Sequence, residues 1–239
     1  MDQILVVGDI HTKLYPIKNF LEEWKGKVVF TGDYFDDFGD DPYQNMVVAD
    51  WLKANLDNPD YTFLIGNHDF QYMTLPYMFH CSGFSEHKHE AINKILQKED
   101  WKKFKFFHHI DQYWFSHAGI TEYWFNHPIN GLTTDSIEAT IKECYNHIIS
   151  GPLENILPIW AADYFRGGRF KKGGLLWNDW NNREYIPGVT QIMGHTPQKQ
   201  IIVLEDEEKN SRCVNVDAYK QSSQVLLIVG NNLTTICLE

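Results

Sequence analysis

A short apolar run followed by a glycine-containing turn that carries a metal-type side chain recurs five times in this 239-residue chain, and that repetition is its strongest constraint. The runs are Ile4 to Val7, Lys27 to Thr31, Tyr61 to Ile65, Tyr113 to Ser116 and Val189 to Met193. The turns read Gly8-Asp9-Ile10-His11, Gly32-Asp33-Tyr34-Phe35-Asp36, Gly66-Asn67-His68-Asp69, His117-Ala118-Gly119 and Gly194-His195-Thr196-Pro197. Between the first runs lie segments of helical period: Leu14, Ile17, Leu21 and Trp24 fall three or four apart, and Pro42 opens a predicted helix to Leu56. Strands alternating with helices predict an α/β fold with a partly parallel sheet, in which ligands bind at the carboxyl ends of the strands.

From Ile201 the pattern changes to strand-like runs at Ile201 to Leu204, Cys213 to Val216, Gln224 to Val229 and Leu233 to Leu238, read as an antiparallel meander. The expectation is one domain over 1–239, with helical or irregular insertions at about 70–112 and 122–173 that shape a substrate entrance. No apolar run near Met1 has the form of a signal peptide, and none approaches the roughly 20 residues of a membrane span. Cys81, Cys144, Cys213 and Cys237 form no CxxC pair, so neither thiolate zinc nor a disulfide framework is indicated and a reducing cytoplasm is expected. The formal charge of -11 argues against a broad nucleic-acid-binding face, which needs Lys and Arg to neutralise phosphates.

An isolated Asp or His after a strand is usually a turn former or cap. Asp9, His11, Asp33, Asn67, His117 and His195, in that order at five strand ends, are a different matter. Two divalent ions about 3.5–4 Å apart neutralise phosphoryl oxygens and activate water. Carboxylates can bridge such ions, and imidazole and amide oxygens complete shells suited to Mn, Fe or Zn. His80, His87, His89, His108, His109, His127 and His147 fall in no motif and are read as surface or satisfied core histidines.

The turns GDIH, GDYFD, GNHD, SHAG and GHTP stand in the order of the motifs of the calcineurin-like metallophosphoesterases. Within that family the chain resembles the phosphoprotein (serine/threonine) phosphatase type. Leu175-Leu176-Trp177-Asn178-Asp179 is similar to that branch's LLWSD stretch, and Pro197 stands where other branches carry a second histidine. The resemblance implies a four-layer sandwich of two mixed β-sheets flanked by helices. It also implies two divalent metal ions, most readily Mn²⁺, with Asp9 and His11 on the first, Asp33 as the bridge, and Asn67, His117 and His195 on the second. His68 takes the place of the general acid, which protonates the leaving oxygen or orients the phosphate, and Asp36 that of the aspartate fixing its ring.

The implied reaction is hydrolysis of a phosphomonoester, as in phosphoserine or phosphothreonine of a phosphoprotein, by direct attack of a metal-bridging hydroxide. The alternative is a nucleotide substrate of the diadenosine tetraphosphate kind; a non-catalytic metal-binding scaffold is the weaker reading, because every ligand position is filled. The chain departs from the branch at two places. Its GDxxDRG and RGNHE motifs carry phosphate-clamping arginines, whereas here Asp37 and Ile65 occupy those positions. Replacement cations are sought in Arg183 and in the run containing Arg166 and Arg169.

Overall fold

The computed structural model describes residues 3–73, 79–125, 131–148 and 153–238. His127 lies outside the described residues. The chain divides into two compact units, Met1–Lys105 with Gln198–Ile201 and Val216–Glu239, and Phe106–Pro197 with Ile202–Asn215.

The first unit begins with β1 (Gln3–Val7), α1 (Tyr15–Glu23), β2 (Lys27–Phe30), α2 (Pro42–Asn55), β3 (Tyr61–Phe63), α3 (Asn67–Met73), α4 (Glu86–Ile95) and α5 (Lys98–Trp101). The second holds β4 (Phe107–Ile110), β5 (Tyr113–Ser116), α6 (Glu122–Phe125), α7 (Thr134–Ile148), α8 (Leu157–Trp160), β6 (Thr190–Met193), β7 (Ile202–Asp206) and β8 (Ser211–Asn215). The chain then returns to the first unit as α9 (Tyr219–Ser222), β9 (Gln224–Val229) and β10 (Asn232–Cys237). Each unit has one mixed five-stranded sheet, ordered β10-β9-β1-β2-β3 in the first and β4-β5-β6-β8-β7 in the second. Among the described residues no helix is long and apolar enough to cross a membrane.

The βαβ grammar explains the first sheet. β1, β2 and β3 run parallel in register Val6↔Val29 and Val29↔Thr62, and β1 and β2 are buried along nearly their whole length, as continuous apolar runs in parallel sheets are. On α1, Ile17 and Leu21 lie one turn apart and both are buried. α2 is started by Pro42 in its first turn and by a capping box, in which Asp41 Oδ1 accepts the Gln44 amide and Gln44 Oε1 accepts the Asp41 amide, each at 2.9 Å. Phe30 and Phe63, on adjacent strands, stack with centroids 4.9 Å apart, and Tyr34, Trp51 and Phe104 close around them.

Two expectations are corrected. The four C-terminal strands do not form one meander. β7 and β8 pair antiparallel in the second sheet, where β8 also lies parallel to β6, while β9 runs antiparallel to β1 and β10 in the first. Each hairpin finds its buried face in a different sheet, a long-range choice that the polar turns between the strands do not encode. In addition, the stretch before Gln112 is not wholly helical or irregular. Phe107–Ile110 is a strand, turned back onto β5 at Asp111, whose φ is +51°.

Candidate metal centre and catalytic dyad

The close approach of the ligand loops is a backbone requirement. Gly32 has φ +103°, and a Cβ there would stand 2.4 Å from the amide nitrogen of Gly66, so the β2 and β3 loops touch main chain to main chain. Asp69 ties them together: Oδ2 accepts the amides of Asp33 at 2.7 Å and Gly66 at 2.8 Å, and Oδ1 accepts Tyr34 N at 2.8 Å. Its role is thus that of a brace between ligand loops. Five of the eight non-glycine residues with positive φ among the described residues lie in these turns: His11, Thr12, Asp33, Asp36 and His195. Each costs of order 1–3 kcal/mol and persists where surrounding bonds over-determine it.

In the first unit, ligand atoms of Asp9, His11 and Asp33 all lie within 4.8 Å of one another. Asp9, Asp33 and Asn67 are buried. His11 Nδ1 faces the carbonyl oxygens of Phe35 at 3.0 Å and Asp36 at 2.7 Å, which leaves Nε2 on the side of Asp33, 3.8 Å from Oδ2. Burial, followed by the charge of His68, lowers the His11 pKa to about 4, so the imidazole is neutral and able to ligate. Burial pushes the Asp33 carboxyl upward against the opposing charge of His68, and Asp69 and Asp217 add to the rise. A buried carboxylate in such surroundings calls for a cation. The neutral imidazole and the clustered carboxylates therefore fit a divalent ion.

In the second unit, His117 Nε2 and His195 Nδ1 stand 3.1 Å apart, and both rings are buried. Two imidazole nitrogens at that distance cannot both carry a proton, and a metal ion held by them would need both unprotonated. His195 packs edge-on against Trp177 at 5.4 Å. Its loop is held by Arg166, whose Nη2 donates to His195 O at 3.0 Å and Thr196 Oγ1 at 2.6 Å while Nε pairs with Asp179 Oδ2 at 3.0 Å. Asp163 completes the brace by accepting Arg166 N at 3.1 Å and Asp179 N at 2.8 Å.

His68, next to Asn67, places Nδ1 3.2 Å from Asp36 Oδ2, and its amide donates to Asp33 Oδ1 at 2.9 Å. Burial works to lower its pKa, but the Asp33 charge and the Asp36 hydrogen bond outweigh it and hold the ring protonated well above the usual histidine range. Burial likewise opposes ionisation of Asp36, yet bonds from His68, Tyr72 and Lys88 bring its pKa below the usual carboxylate value. The sequence paired His68 with Asp36, and the two side chains do meet, but it gave no sign of Gln71, Tyr72 and Lys88 around them; no local spacing signals a lysine 52 positions away.

The remaining cations are differently engaged. Arg183 lies over the Trp180 ring at 4.8 Å and donates to Trp180 O at 3.1 Å, and Arg169 lies over the Phe170 ring at 5.3 Å. Asp37 is ion-paired with Lys220, whose ammonium also sits 5.5 Å above the Phe38 ring.

Known structures share this architecture. A cold-active protein tyrosine phosphatase aligns with a TM-score of 0.60 at 18% identity, covering 98% of this chain and 76% of its own. A protein serine/threonine phosphatase from Saccharomyces cerevisiae aligns at 0.56 and 15%, covering 100% and 80%. A metallophosphoesterase from Sphaerobacter thermophilus aligns at 0.50 and 13%, covering 99% and 88%. At such identities the likeness is one of fold. No curated protein matches the chain in sequence. The family model described as calcineurin-like phosphoesterase matches residues 3–211, and with the ligand cluster this places the chain among the calcineurin-like phosphoesterases, metal-dependent phosphoester hydrolases with a dinuclear divalent metal centre.

Proposed function

We propose that this enzyme hydrolyses a phosphomonoester, with a phosphorylated serine or threonine side chain as the substrate class. Asp9, His11, Asp33, Asn67, His117 and His195 are its metal ligands, Asp33 being shared, and the mixed oxygen and nitrogen donor set suits Mn²⁺. When bound, the ions neutralise the phosphoryl oxygens and activate water.

The observation that carries this reading is the His68–Asp36 dyad beside the cluster of Asp9, His11 and Asp33: the His11 and His68 rings are 5.2 Å apart. Asp36 holds the Nδ1 proton of His68, so Nε2 is the nitrogen that gives its proton to the leaving oxygen. General acids of this kind contribute about 10²–10⁴-fold. Asp37 stands where the related phosphatases carry a clamping arginine, and through its ion pair it brings Lys220 to that corner. Arg169 and Arg183 are the cations we assign to the substrate phosphate; Arg166 is engaged with the His195 loop.

The test is initial rate, in Mn²⁺ and after chelation, on p-nitrophenyl phosphate, bis-p-nitrophenyl phosphate, a phosphothreonine peptide and diadenosine tetraphosphate. Metal-dependent turnover of the monoesters is expected, lost in Asp33→Asn and, on the phosphothreonine peptide, reduced in His68→Asn. Preference for the diester or for the dinucleotide would overturn the substrate class, and turnover that survives chelation would overturn the metal assignment.

A further inference from the structure

Lys88 is a lysine in an unusual place. It lies in the first turn of α4, it is 6% exposed, and burying an ammonium costs several kcal/mol unless its protons are met by good acceptors. All three are. Nζ donates to Asp36 Oδ1 at 3.0 Å, to Gly83 O at 3.0 Å and to Asp40 Oδ1.

The effect on Asp36 is to use every face of its carboxylate. Oδ1 accepts from Lys88 and from Tyr72 Oη at 2.6 Å; Oδ2 accepts from Gln71 Nε2 and faces His68 Nδ1. A carboxylate has about four lone-pair sites, so this one can neither rotate nor take another partner. The segment leading into α4 is shaped around it. Gly83 has φ +96°, and a Cβ there would come within 2.9 Å of Asp36 Cβ. Cys81 N donates at 3.0 Å to Gln71 Oε1, fixing the amide that reaches Asp36, and Ser85 caps α4 by accepting the amide of Lys88 at 3.2 Å. Asp40 is in turn fixed by Asn45 Nδ2 at 2.6 Å. None of these groups is among the proposed metal ligands, and a methionine would fill the space of Lys88 without the cost of burying a charge.

We propose that Lys88 is a positioning residue of the reaction. From α4 it locks the Asp36 carboxylate so that Oδ2 meets His68 Nδ1, and this aims His68 Nε2 at the leaving oxygen. This rests on the reading of His68 as proton donor. In the step it serves, water oxygen bonds to phosphorus as the P–O bond to the leaving group breaks, the Nε2–H bond breaks and an O–H bond forms on the departing oxygen, and the ring is left neutral with its proton still on Nδ1, hydrogen-bonded to Asp36 Oδ2.

The experiment compares wild type, His68→Asn, Lys88→Met and Lys88→Met/Asp40→Asn on p-nitrophenyl phosphate, phenyl phosphate and an alkyl phosphate, with bound metal counted for each protein. The double variant removes the second carboxylate that Lys88 neutralises and so leaves less uncompensated buried charge than the single variant. Both Lys88 variants are expected to lose about 10–100-fold in kcat on the alkyl phosphate, within the range of general acid catalysis, and less than about threefold on p-nitrophenyl phosphate, whose leaving group needs no proton. KM and metal content stay as in wild type. An equal loss on all three substrates, or none on the alkyl phosphate, overturns the role of Lys88. If His68→Asn itself shows no dependence on leaving group, it is the reading of His68 that fails. Independently of any variant, a wild-type ring ¹⁵N spectrum with no proton on His68 Nδ1 would overturn the proposal.

Discussion

Asp69 Oδ2 accepts the backbone N–H of Asp33 at 2.7 Å, so the carboxylate two places beyond Asn67 sets the main chain of the preceding ligand loop. With the amides of Gly66 and Tyr34 also on its oxygens, Asp69 replaces three would-be orphan donors with bonds to an ionisable acceptor. Asp69→Ala is expected to cost about 2–4 kcal/mol in urea unfolding. It should also weaken metal binding about 10–100-fold, as loss of a group supporting the ligands does. Calorimetric titration with Mn²⁺ checks the second effect; unchanged affinity would mean that the loops keep their geometry without the brace.

Arg166 can be assigned by kinetics. Because its guanidinium is engaged with His195 O, Thr196 Oγ1 and Asp179, Arg166→Ala should lower metal affinity by about tenfold or more while KM for a phosphomonoester at saturating metal is unchanged. A raised KM at unaltered metal affinity would instead make it a substrate-binding cation.

The pair of Asp37 and Lys220 carries a pH signature. Burial alone would raise the Asp37 pKa, but the hydrogen bond and charge of Lys220, together with the Phe38 amide, lower it below the ordinary carboxylate value. A depressed folded pKa gives stability that is present above the unfolded value of about 3.9 and is lost as pH falls through the lower folded one. Lys220→Met should thus be less stable than wild type at pH 7, by less than about 1 kcal/mol for a partly solvated pair, and the difference should vanish as pH falls through the lowered folded value. Urea midpoints measured across that range decide it.

Thiol reactivity should follow burial. Cys144 and Cys213 are buried, and burial pushes both thiols up to about 12, so at pH 8 neither presents a thiolate. Native protein treated with a disulfide reagent should react promptly at exposed Cys237, and at Cys144 and Cys213 only on unfolding. Rapid labelling of Cys213 in the native state would show that its strand opens readily.

The turns that end β1, β2 and β3 were legible in the sequence because two local signals coincide there: an apolar run of strand length and a glycine that permits a tight turn. Gly8, Gly32 and Gly66 mark where β1 and β2 end and where the chain leaves β3 for α3. β4 was not legible. Phe107-His108-His109-Ile110 has no clean alternation, and its strand form comes from pairing with β5. The distribution of the C-terminal strands between two sheets was hidden for a related reason, since Leu226↔Val6 and Cys213↔Gln191 are pairings over long sequence distances. The dyad could be read from GNHD and GDYFD, but not the lysine behind it, because the contact from Lys88 to Asp36 joins an insertion helix to a motif loop.

β9 has a bearing on how the protein is made. It supplies the antiparallel neighbour of β1, the strand from which the loop of Asp9 and His11 springs, and it lies more than 200 residues downstream. During synthesis β1 and β2 can pair early, but the outer edge of β1 stays open until residues 224–229 leave the ribosome. The strand carrying the loop of Asp9 and His11 therefore waits for more than 200 further residues before its edge is covered, and meanwhile that edge is exposed to chaperones and to misplaced strands.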